Sequence, residues 1–185
     1  MGQAPVQFWH MKTILFFCIS SALLTASTLL TGCTAGDESG APQVQTSDNS
    51  SGDPAAALAV AHWVKGEPVD VSSGVHVVEF WATWCPPCLT SIPHLTALQE
   101  KYADRGVNII GVSDEELATV ESFVKKMGDK MAYTVAIDAG ATSKGYMGKY
   151  GVGGIPHAFV VKDGKVVWHG HPMAKLEAAI EDALK

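Results

Sequence analysis

Cys85-Pro86-Pro87-Cys88, just after the apolar run 75–81, is where residue type and spacing in this chain most directly prescribe chemistry. At the start of a helix, two cysteines three apart stand one turn from each other. That is within the ~4.4–6.8 Å Cα separation a disulfide tolerates. The motif by itself also fits half of a four-cysteine zinc site or a haem attachment site. No second C-x-x-C completes the former, and Leu89 stands where haem attachment needs histidine. A redox pair is the remaining reading. Cys85 then falls at the N-cap and Cys88 at the third helical position, where the helix dipole and free amides favour a thiolate on Cys85 and lower its pKa from ~8.5. Cys85 is the expected nucleophile.

Pro86 and Pro87 suit a first helical turn, whose N–H groups have no intrahelical partner. They also remove two donors from around the Cys85 sulfur, leaving the Cys88 amide and thiol to stabilise it. Such loops tune redox poise over some 150 mV, or ~7 kcal/mol for two electrons. Glu79 is the anomaly of the preceding run, because a carboxylate in an apolar strand is costly unless used or satisfied. An edge carboxylate in solvent and a structural ion pair are its plain alternatives. Trp81 is expected to pack inside, and Trp84 to contribute to an apolar docking surface.

The elements that must position these residues follow from periodicity. A buried strand is expected over 75–81, a helix over 86–102 with Leu89, Ile92, Leu95 and Leu98 inward and Pro93 bending it, and a strand over 107–112. A helix over 115–127, a strand over 133–137 and a helix over 141–150 come next. Strands 157–161 and 166–169 flank Asp163-Gly164, a hairpin signal, and an amphipathic helix over 174–184 closes the chain. Strands alternating with helices, then a hairpin, imply an α/β fold with a mixed sheet covered on both faces.

With 185 residues and 47% apolar composition, the chain has room for one domain plus appendages. Residues 1–32 have a basic start at Met11-Lys12, an apolar stretch and small residues near its end, the order of a secretory signal; translation starts at Met1 or Met11. Leu30-Thr31-Gly32-Cys33 resembles a bacterial lipobox, which implies cleavage before Cys33 and a lipid on that cysteine. A simple transmembrane anchor is the alternative. Residues 33–57 are poor in apolar side chains and read as a flexible tether spanning roughly 25–30 Å, with the domain at 58–185. Losing the signal leaves 12 Lys and Arg against 19 Asp and Glu. With no basic cluster, nucleic acid and anionic lipid are poor partners. Attachment to the membrane is expected through the lipid alone.

Phe80-Trp81-Ala82-Thr83-Trp84-Cys85-Pro86-Pro87-Cys88, with Gly153-Gly154-Ile155-Pro156 before the hairpin, resembles the thioredoxin superfamily. The extra helix and strand before Pro156, with the signal and lipobox, resemble its membrane-anchored TlpA/ResA branch. The resemblance implies a thioredoxin-like fold and an extracytoplasmic thiol-disulfide oxidoreductase acting on protein disulfides without a cofactor or resident metal. It implies a membrane thiol transporter of the DsbD/CcdA kind as electron donor. It also implies a cis Pro156 facing the sulfurs, Ile155 offering backbone groups to a substrate, and a surface to which Trp84, Pro86 and Pro87 contribute. Glu79 occupies the place of a buried acid that assists proton transfer at the second cysteine. Ser91 stands where many relatives of this branch carry an acid, so a role in cytochrome c maturation is not simply carried over by the resemblance. His157, next to Pro156, is a candidate to influence the thiolate, whereas His169-Gly170-His171 lacks a third ligand for metal. Thr34 after Cys33 leans toward an outer membrane. The same dithiol running as an oxidase, or a thioredoxin-like copper(I) metallochaperone, are the alternatives; a peroxiredoxin loop is not reproduced here.

Overall fold

A computed structural model of the protein describes residues 52–185. The signal segment, Cys18, Cys33 and most of the expected tether lie outside the described residues.

The apolar run before the cysteine pair becomes the central strand β3 (Val75–Phe80), buried along its whole length. It is flanked by β4 (Asn108–Ser113) in parallel and β6 (His157–Lys162) antiparallel. Further strands are β1 (Asp53–Pro54), β2 (Val60–Lys65), β5 (Thr134–Asp138) and β7 (Lys165–Gly170). Among the described residues they form one seven-stranded mixed sheet in the order β1-β7-β6-β3-β4-β5-β2. Alternation along β3 divides the core in two. Val75, Val77 and Trp81 face α1 (Pro86–Tyr102), α2 (Leu117–Met127) and α4 (Leu176–Ala183), packing with Ile92, Leu95 and Ile180. Val78 and Phe80 face the other side, with Phe159 and Tyr146. Phe80 and Phe159 meet edge to face at 5.9 Å between ring centroids, and Tyr146 and Phe159 do so at 5.2 Å.

The mixed sheet covered on both faces, the helix from Pro86 to Tyr102 and the extra α2–β5 pair before the proline loop match the sequence expectation. The helix runs unbroken through Pro93, and Leu89 sits at its exposed margin rather than inward. Asp163 and Gly164 take φ of 48° and 72°, the left-handed values that a two-residue hairpin turn needs. The expected single helix over 141–150 is instead the three-residue α3 (Ala141–Ser143) followed by a π turn, Lys144–Gly148.

That irregular segment explains a correction to the expected domain start at residue 58. Gly145 lets the N-terminal stretch press against it: a Cβ there would lie 2.5 Å from the Ala56 methyl. Tyr146 Oη donates to the Ala56 carbonyl at 2.8 Å, and Lys149 Nζ to the Pro54 carbonyl at 2.8 Å. The Ala55 N–H donates to Gly164 O at 2.8 Å, next to the β1–β7 pairing. Residues 53–57, polar and small enough to read as tether, are therefore part of the folded body. Strand β2, absent from the sequence reading, is a half-exposed edge with two register shifts against β5, so its apolar residues follow no clean alternation.

A chain beginning at Leu58 loses these three hydrogen bonds and β1. At about 0.5–1.5 kcal/mol net per bond, its unfolding free energy in urea is expected to fall on the order of 2 kcal/mol below that of a chain beginning at Gly52. Equal midpoints would return these residues to the tether.

Candidate active site

Strand β3 delivers the chain to the C-terminal edge of the parallel strands, where Cys85 N–H donates to Ala82 O at 3.2 Å and closes a turn. Cys85 is the N-cap of α1, with Pro86 and Pro87 at the first two helical positions. The Cys88 N–H reaches Cys85 Sγ at 3.3 Å. This is the donor that the two prolines leave over. The two sulfurs form a disulfide, with Cα atoms 5.2 Å apart. Cys88 is wholly buried, while Cys85 keeps 3% of its surface exposed. That sliver opens on a cavity of about 500 Å³. Of the two cysteines, Cys85 is the one that lines this cavity.

The loop before β6 forms the opposite wall. The Ile155–Pro156 peptide bond is cis, and the Ile155 carbonyl oxygen lies 3.9 Å from Cys85 Sγ. Trp84, Pro86, Pro87 and Ile155 all line the cavity, so the structure gathers four of the expected docking residues around the sulfur. Trp84 is 70% exposed, and Trp81 packs inside. Met147 and Val152, from the α3–π segment and the stretch after it, complete the wall. Sequence reasoning missed them, because a methionine beside glycines carries no signal of a binding surface.

Glu79 is neither an edge carboxylate nor half of an ion pair. It sits in the central strand between Gly111 of β4 and Ala158 of β6, 1% exposed, and neither carboxyl oxygen has a hydrogen-bond partner among the described residues. Strand alternation points it to the face covered by α1, the helix that carries Cys88. Burial pushes its pKa from 4.5 up to about 8. Tyr133, whose hydroxyl is also buried and unpartnered, is pushed up by burial and by the Glu79 charge.

Ser91 is buried, its Oγ donating to the Cys88 carbonyl at 2.7 Å. A carboxylate there would need its own compensation. His157 is turned to His169, with Nε2 and Nδ1 3.0 Å apart. Burial, then the nearby His169 and His171, lower its pKa to about 4, so it is neutral at neutral pH. Among the described residues no three His, Cys, Asp or Glu side chains group so as to hold a metal ion.

Comparison with known proteins agrees with this geometry: the Redoxin family model matches residues 50–184. The chain belongs to the Redoxin family. The Redoxin match spans the folded body. Within it, the chain is 44% identical over 92 residues to thiol-disulfide oxidoreductase ResA of Bacillus thuringiensis (strain Al Hakam), covering 49% of this chain and 50% of that protein. A protein of the same name from Halalkalibacterium halodurans is 28% identical over 127 residues, covering 66% of this chain and 69% of its own. The chain thus spans about half the length of the first of these relatives. A thiol:disulfide interchange protein of the thioredoxin family from Chlorobium tepidum TLS superposes with a TM-score of 0.60 at 27% identity, over 72% of this chain and 97% of that one. The thioredoxin domain of a Bacteroides vulgatus thiol-disulfide oxidoreductase shares the fold at a TM-score of 0.61 and 23% identity, over 72% and 97% of the two chains. This Redoxin chain is a TlpA/ResA-like member of the thioredoxin superfamily.

Because Glu79 is raised in the folded state, the native protein keeps a proton that the unfolded chain releases, so stability is full below pH ~4.5 and is lost as pH rises toward about 8. Glu79→Gln removes that slope. Urea unfolding at pH 5 and pH 8 is expected to show the variant gaining on the wild type at the higher pH, and parallel profiles would mean that the carboxyl reaches water.

Proposed function

We propose that this chain is an extracytoplasmic thiol-disulfide oxidoreductase that reduces disulfides of protein substrates. The observation that carries the reading is the Cys85–Cys88 disulfide at the N-terminus of α1, with Cys85, and not Cys88, lining a cavity and its Sγ 3.9 Å from the Ile155 carbonyl oxygen.

The helix dipole and the Cys88 N–H stabilise a thiolate on reduced Cys85. That thiolate attacks one sulfur of a substrate disulfide, forming the Cys85–substrate bond and releasing the other substrate sulfur as a thiolate, which takes a proton. Cys88, deprotonated in turn, attacks Cys85 Sγ, forming the Cys85–Cys88 bond and expelling the second substrate thiol. Two electrons pass to the substrate with two protons. Glu79, on the α1 side of the sheet and with a pKa close to working pH, accepts the Cys88 proton, directly or through water. A substrate segment lies extended along Ile155 as an added strand, with Trp84, Pro86 and Pro87 packing against its flanks.

Return of electrons in an oxidising compartment needs a thiol donor, and a membrane transporter of the DsbD/CcdA kind suits the task. The lipobox at Leu30–Cys33 supports attachment through a lipidated Cys33, with Thr34 favouring an outer membrane where the cell has one. No helix of the described residues is long and apolar enough to cross a membrane.

Cys88→Ala is expected to accumulate mixed disulfides with substrates through Cys85, identifiable by mass, and to lose turnover in insulin reduction. Glu79→Gln is expected to slow resolution of the mixed disulfide by about tenfold or more and to flatten its pH dependence. A wild-type domain inert toward both dithiols and disulfides would overturn the assignment.

A further inference from the structure

The turn that presents the nucleophile is gripped from a distant part of the chain. In the turn Ala82–Cys85, closed by the Cys85 N–H, the central residues are Thr83 and Trp84. Glu115, in the loop between β4 and α2, accepts the Thr83 N–H on Oε2 at 2.6 Å and the Thr83 hydroxyl on Oε1 at 2.7 Å. Both carboxylate oxygens are thus spent on one residue, two positions before Cys85. Ser113 braces the grip: its hydroxyl donates to Glu115 Oε2 at 3.3 Å and receives the Glu115 N–H at 3.3 Å. Short bonds from an amide and a hydroxyl to a half-buried carboxylate are charge-assisted, and they fix where the negative charge sits.

The electrostatic setting of Cys85 is otherwise short of positive charge. The cavity beside it is lined by Asp114, adjacent to Glu115, and by no Lys, Arg or His. The first turn of α1 is Pro86, Pro87 and Cys88, without charge. Glu79 lies under the α1 face of the sheet, and His157, following Pro156, is engaged with His169. The groups shown to favour a thiolate are the N-terminal dipole of α1 and the Cys88 N–H, and the charged residue that lines the cavity is the acidic Asp114.

We propose that Glu115 is a positioning residue: it holds the turn that carries Trp84 and Cys85, and its fixed charge sets the Cys85–Cys88 pair toward the reducing end of its range. The inference rests on the oxidoreductase reading and deepens it by supplying a direction. A carboxylate near Cys85 disfavours its thiolate. In the exchange of the Cys85–Cys88 disulfide with two glutathione thiols to give the dithiol and glutathione disulfide, it shifts the balance back toward the protein disulfide. A pair that is harder to reduce is the better reductant.

The test uses the full chain in detergent with Cys18 and Cys33 replaced by serine in every variant, equilibrated with glutathione redox mixtures. In parallel, Cys85 is titrated by thiolate absorbance in a Cys88→Ala background. Glu115→Gln keeps the side-chain shape and a carbonyl acceptor for the Thr83 amide but removes the charge. It is expected to raise the equilibrium constant for reduction by glutathione about two- to fivefold, as one partly screened charge should, and to move the Cys85 titration to lower pH. Glu115→Asp keeps the charge without the reach. It is expected to hold the equilibrium near wild type while slowing attack by Cys85 on a model disulfide. Variants that melt as the wild type does yet leave both the equilibrium and the titration unchanged overturn the role of Glu115 and leave the oxidoreductase reading standing. A wild-type pair that never equilibrates with glutathione overturns both.

Discussion

The chemistry of the described residues depends on holding the first turn of α1 against the loop that precedes β6, with Cys85 between them. The turn is fixed at one end by β3, the central strand whose side chains are buried on both faces. It is fixed at the other by a helix that begins with two prolines and lays Ile92, Leu95 and Leu98 into the core. The loop opposite is set by β6, which runs antiparallel to β3 and pairs His157 with Phe80. Because both walls are anchored on neighbouring strands of one sheet, the 3.9 Å approach of the Ile155 carbonyl to Cys85 Sγ is a property of the core, not of a mobile rim.

Burial then divides the labour between the sulfurs. Cys88 lies inside the packing of α1, and Cys85 alone meets the cavity. The same burial leaves Glu79 without a hydrogen-bond partner among the described residues and lifts its pKa toward the range in which a thiol exchanges protons. A group this expensive to bury is tolerated in a strand whose other residues are Val, Phe and His76, which is the ground for proposing a function for it. On the outer side, Asp114 lines the cavity beside Cys85 and Glu115 holds Thr83, while the dipole of α1 favours a thiolate.

Much of this was legible in the linear chain wherever one local rule dominated. The proline pair after Cys85 specified a helix start, the 75–81 run a buried strand, and Asp163-Gly164 a two-residue turn. Where weak rules competed, the reading failed. Residues 53–57 have the composition of a tether, yet they dock because Gly145 allows close approach and Tyr146 supplies a hydroxyl. Over 141–150, where Gly145 and Gly148 stand, the expected helix is a short α–π segment, and that segment supplies Met147 to the cavity wall.

By itself, then, the sequence determined the dithiol, which cysteine caps the helix, the order of the elements and the presence of a carboxylate six residues before the nucleophile. These depend on neighbours within a turn or on the period of a strand, interactions that spacing along the chain encodes directly. Tertiary structure decided that Cys85 but not Cys88 keeps some exposed surface, that Glu79 has no hydrogen-bond partner among the described residues, and that Glu115 grips Thr83 from 32 residues away. Solvent exposure and charge fields are sums over atoms brought close by the packing of separate elements, and no local pattern in the chain carries those distances.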